Sequence, residues 1–81
     1  MNQKPLRFNR KEAEAKLGRR VRTILSLEDI PAGTRGNVMQ LDEIEVDGYE
    51  LIVEWDSLID GKRQHDWFTK EEYHRCLVDS D

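Results

Sequence analysis

From Tyr49 to Trp55 the chain alternates: Tyr49, Leu51, Val53 and Trp55 are large and apolar, and Glu50, Ile52 and Glu54 occupy the positions between. A period of two is that of a half-buried strand, with one face in the core. Asp47 and Gly48, just ahead, are residue types that take the positive dihedrals of a tight hairpin turn. The preceding segment is therefore expected to fold back antiparallel onto this strand.

The other elements follow from the same patterning. Residues 1 to 8, with Pro5 and anchored only by Leu6 and Phe8, are expected to be loosely held. Asn9 followed by Glu12 is a capping box, Gly18 suits the left-handed residue after a last helical turn, and Ala13 with Leu17 offers a narrow apolar stripe between them. Arg19 to Leu27 alternates as a first strand, and Ile30 to Gly36 reads as a turn punctuated by Pro31, Gly33 and Gly36. The next strand mixes parities: Val38, Ile44 and Val46 are even-numbered, while Met39 and Leu41 are odd. One extra residue flips a strand's register, so a bulge is expected near Asp42. Asp60-Gly61 marks a second hairpin, with Leu58 and Ile59 closing the rim. His65 to Phe68 makes a short strand, and Thr69 with Glu72 forms another capping box, with Phe68 and Tyr73 placed as its hydrophobic staple. A single helical turn and a brief last strand, Cys76 to Val78, complete the chain.

Short strands, frequent turns and a helical turn before the last strand describe a mostly β chain folded as a small, strongly bent antiparallel barrel. Four stretches carry a resemblance: Gly18, Val21 and Arg22; Pro31, Gly33, Thr34, Gly36 and Val38; Tyr-x-Leu-x-Val-x-Trp at 49 to 55; and Asp66-Trp67-Phe68 with Tyr73. Together they resemble the five-stranded SH3-like barrel, in particular the photosystem I reaction-centre subunit IV type. The resemblance implies an SH3-like barrel over residues 18–78, preceded by a basic segment with a short helix over residues 1–17. It implies architecture rather than activity. The basic helix has no counterpart in that family, and the acidic body differs from the basic surface by which the photosystem subunit assists docking of acidic ferredoxin.

At 81 residues the chain suits one domain of modest stability. No apolar run approaches the roughly 20 residues that cross a bilayer, and the polar start Met-Asn-Gln-Lys-Pro lacks a secretory core, so a cytoplasmic location without membrane insertion is expected. The lone Cys76 fits a reducing compartment. Charge is unevenly spread. Through Arg22 there are eight basic and two acidic residues; beyond it there are five basic and fifteen acidic.

No motif for catalysis, metal or phosphate stands out. His65, Asp66, His74 and Cys76 are the residues that could gather as metal ligands, but their spacing matches no strong zinc pattern. Cys76 as a nucleophile lacks an electropositive setting, and Glu50 and Glu54 lack the apolar pocket that would perturb a carboxylate for acid–base work. A non-catalytic accessory or adaptor module without cofactors is therefore expected. It would dock to a protein partner carrying a basic patch, through an acidic sheet face of Glu50, Glu54 and Asp56 and through Trp67, the member of the Trp67-Phe68 pair not claimed by the staple. The alternative is nucleic-acid binding through Arg10, Lys11, Lys16, Arg19, Arg20 and Arg22, because lysines and arginines release counterions from phosphates. Against it stands a plainer role, in which these charges balance the acidic body and deletion of residues 1–17 lowers stability only slightly.

Overall fold

The computed structural model describes residues 7–80. They build helix α1 (Arg10–Lys16), strands β1 (Arg20–Thr23), β2 (Arg35–Glu45), β3 (Gly48–Ile59) and β4 (Lys62–Phe68), helix α2 (Lys70–Cys76) and strand β5 (Leu77–Asp79). All pairings are antiparallel, in the order β4-β3-β2-β1-β5, so the mostly β, five-stranded class expected from the alternation holds. β4 and β5 form opposite edges, and the sheet is open between them.

β3 is the axis of the core. Tyr49, Leu51, Val53 and Trp55 are all buried on one face, where they meet Val21, Val38, Phe68 and Leu77. The Trp55 indole N–H, which would otherwise be buried without a partner, donates to Asp66 Oδ2 at 2.7 Å. Gly36 lies opposite Trp55, and a Cβ there would sit 2.8 Å from the indole Cε3 and 2.8 Å from the Glu54 carbonyl. Close approach of backbone to ring, rather than a special dihedral, demands that glycine.

The β2–β3 turn is placed one residue earlier than expected. Asp47 takes the positive φ (55°), whereas Gly48 opens β3, where a Cβ would press to 2.5 Å from Glu45 Cγ. The break expected around Asp42 is present as two register shifts on either side of it, between Val38 and Gln40 and between Glu43 and Glu45. The β3–β4 turn is as expected, with Asp60 and Gly61 both at positive φ, the pattern of a type I′ hairpin. Leu58 at its side is exposed and does not close the rim; Ile59 packs against the core.

β1 ends at Thr23 instead of continuing to Leu27. The Thr23 hydroxyl donates to the Leu25 carbonyl (2.6 Å) and accepts from the Leu25 amide (3.2 Å), a local turn that competes with the ladder. The following loop is not merely a connection, because Ile30 is 2% exposed and belongs to the core.

The N-terminal expectation fails at Phe8, while residues 1–6 lie outside the described residues. Phe8 is buried, its carbonyl accepts from the Tyr49 amide at 2.8 Å, and its ring meets Tyr73 edge-on at 5.6 Å. The Asn9–Glu12 capping box forms in full. Ala13 is buried but Leu17 is half exposed, because Gly18 (φ 84°) turns the chain away and its amide donates to Val38.

The Thr69–Glu72 box likewise starts α2, which runs two turns rather than one and carries Cys76 as its last residue. Phe68 and Tyr73, the pair expected as its staple, both join the core cluster, where Phe68 meets Trp55 edge-on and Tyr73 meets Phe8.

Candidate docking face

The register sorts side chains on the outer face of the sheet, opposite the core, into rows. Arg20, Asn37, Glu54 and His65 lie side by side across four strands. Towards one end the next row holds Gln40, Ile52 and Trp67, followed by Asp42 beside Glu50. Towards the other end Arg22 pairs with Arg35, and the pleat places Asp56 and Arg63 on the same face.

Trp67 is 53% exposed, yet it is held in place. Its indole N–H donates to Asp42 Oδ2 at 3.1 Å, a residue two strands away on β2, so the ring system lies across β3. That explains Ile52, which the alternation assigns to the outer face but which is only 8% exposed. Ile52 is covered by Trp67, its cross-strand neighbour. Asp42 had no signal of this role in the sequence, since the contact depends on the register of three strands.

The carboxylates expected to form an acidic face are largely engaged. Asp56 accepts two hydrogen bonds from the Arg20 guanidinium, one of 3.0 Å from Nη1 to Oδ1 and a second from Nη2 to Oδ2. Arg20 holds the Asp56 carboxyl below its ordinary range, with Arg63 and Arg35 adding to the effect through space. Glu54 contacts His65 Nε2 at 3.3 Å. Glu50 makes no ion pair among the described residues. The face is therefore polarised rather than uniformly acidic: arginines at one end, Ile52 and Trp67 in the middle, Asp42 and Glu50 at the other.

The basic residues proposed for nucleic acid are not gathered into one surface. Arg10 Nε donates to the Tyr49 hydroxyl at 3.1 Å, which raises its pKa, and its amide donates to Asp47. Lys16 lies over the Tyr73 ring, and Arg19 pairs with Asp79 at 3.2 Å. Lys11 is exposed on α1, whereas Arg20 and Arg22 sit on the sheet. Arg35 and Arg63, absent from the sequence-based candidates, share that outer face with Arg20 and Arg22.

Of the conceivable metal ligands, His65 faces Glu54, Asp66 holds Trp55, His74 meets the Phe8 ring and Cys76 is buried. Among the described residues no group of three or more His, Cys, Asp or Glu converges, and no helix is long and apolar enough to cross a membrane. A cleft of about 230 Å³ lies beside Trp67 and Phe68, floored by Leu27 and Cys76 and flanked by Glu72 and Arg75. No family model, curated protein or solved structure matches the chain.

Proposed function

We propose that this domain is a non-catalytic adaptor or accessory module that docks to a protein partner through the outer face of its sheet, with Trp67 as the anchor. The carrying observation is that Trp67 is more than half exposed while its indole is tied to Asp42 and laid over Ile52. An aromatic ring already held in one orientation loses little entropy on binding, and such rings dominate the energetics of protein interfaces. The motifs in residues 18–78 that resemble SH3-like barrels are in keeping with this reading, because such domains use aromatic-lined surfaces for peptides. Nucleic-acid binding along α1 is less favoured, since Arg10, Lys16 and Arg19 are engaged within the fold.

The test begins with a partner identified by capture and then reconstituted from purified components. Trp67→Ala should weaken that complex by about tenfold or more, mainly by faster dissociation, with the fold retained and the thermal melt lowered only modestly, because the truncation also uncovers Ile52. Glu50→Lys should chiefly alter the association rate and its salt dependence. A partner whose rate constants ignore Trp67 would remove this face from consideration.

A further inference from the structure

Arg22 and Arg35 stand directly opposite one another on β1 and β2, a like-charge cross-strand pair that destabilises a sheet unless something lies between the charges. Neither they nor Arg63 makes an ion pair among the described residues. Arg20 belongs to the same end of the face but is engaged by Asp56. Three guanidinium groups thus make no direct ion pair; the one carboxylate near them, Asp56, is taken by Arg20 and acts on Arg35 and Arg63 only through space, while Glu54 has His65 and Asp42 has the Trp67 indole.

We infer that this end of the outer face binds a short cluster of carboxylates on the partner, held by Arg22, Arg35 and Arg63, beside an apolar residue that reaches Trp67. The inference rests on the docking function proposed above and specifies its partner: a segment with acidic residues at one end, the reverse of the basic patch expected from composition. The Arg20–Asp56 pair shows how a carboxylate sits among these arginines, with both oxygens engaged by one guanidinium. Spacing sets the size of the ligand. From β1 to β4 the arginines span three strand separations, about 14 Å, which a few consecutive acidic side chains can cover. Along β2, Asp42 lies about 20 Å from Arg35, and Glu50 and Glu54 lie on the same face. A long polyanion such as single-stranded nucleic acid would run over these carboxylates, whereas a compact acidic segment across the arginines meets only Asp56, which is already paired with Arg20.

The test uses the intact chain and a capped hexaglutamate peptide at low salt, with the arginine side-chain Nε–H resonances as readout. The expected result is a saturable shift of Arg22, Arg35 and Arg63. Affinity should fall about tenfold or more in Arg22→Gln/Arg35→Gln and in the separate Arg63→Gln variant, each melting at or slightly above the wild-type temperature. Shifts that leave these arginines unmoved would overturn the inference. So would a short oligothymidylate bound more tightly than the peptide at equal ionic strength, since it would make the site one for phosphates. Self-association of the chain that vanishes in the arginine variants would also overturn it, because the occupant would then be the acidic β2–β3 turn of a second copy. If a reconstituted partner is lost with Trp67→Ala but unaffected by the arginine variants, this inference fails while the docking reading stands; indifference to all of them sinks both.

Discussion

The Tyr73 hydroxyl is buried and has no hydrogen-bond partner among the described residues, although its ring fills the gap between Phe8 and Lys16. A buried polar group without a partner forfeits its hydration, so Tyr73→Phe should stabilise the domain by about 1 kcal/mol in urea titrations. Burial, the main cause, also pushes the phenol pKa above its ordinary value. The unfolded chain therefore loses this proton first as pH rises past about 10, and stability present below that pH is lost above it. Between about pH 9 and 11 the wild type should lose more stability than Tyr73→Phe. Equal losses would place the hydroxyl in water. Gly36 illustrates the opposite logic at the same scale: what matters there is an absent side chain, because Trp55 and the Glu54 carbonyl occupy its space.

At the scale of elements, neither helix is stable by itself, since each is seven residues long. Their capping boxes define where they start, and tertiary contacts decide that they persist. For α1 those contacts are Ala13 on its own face and Phe8 just ahead of it, which extends the β3 edge through Tyr49 and inserts its ring into the core. Lys70 adds an ion pair to Glu12 at 2.8 Å, tying the two helices together. The N-terminal segment is therefore structural, and deletion of residues 1–17 should not be mild. Phe8→Ala should cost about 3–5 kcal/mol, comparable with the whole stability of a small domain, whereas Leu17→Ala, at an exposed site, should stay within about 0.5 kcal/mol. Chemical denaturation of the two variants checks this contrast, and similar costs for both would mean that the helix is docked by Leu17.

For the molecule as a whole, net charge (−4) hides how the charges are arranged. The acidic and basic halves of the chain interleave: Arg20 meets Asp56, Arg19 meets Asp79 and Glu12 meets Lys70. Asp56 is held below its ordinary pKa by Arg20 first, and Glu12 by Lys70 first. Both are depressed carboxylates, so the stability they contribute is present above the unfolded-state pKa of about 4 and is lost as pH falls through the folded-state value. Asp56→Asn should thus be less stable than wild type at neutral pH, with the gap closing below about pH 4 and narrowing in high salt, because the pair is well exposed. A gap that persists at low pH would show that the loss is one of packing rather than charge.

The sequence by itself determined what depends on a few neighbouring residues. The alternation from Tyr49 to Trp55 dictates which face of β3 is buried, Asp60 and Gly61 dictate their own turn, and the capping boxes at Asn9 and Thr69 are complete within four residues. Such features are legible because dihedral preference and side-chain period act locally. The fold class followed, because the number and length of such elements limit how they can pack. Register was different. A one-residue shift is invisible in composition, yet the shift after Val38 decides that Gln40, Ile52 and Trp67 share a row. Burial of Ile52 under the Trp67 indole, the meeting of Arg22 with Arg35 and the capture of Asp56 by Arg20 all depend on which strands become neighbours. Phe8 also looks like part of a loose tail until Tyr49 and Tyr73 are brought to it. The core face was thus written in the local pattern. The outer face, proposed above for docking, was made by tertiary structure, because its charges and rings are set by pairing across strands rather than by order along the chain.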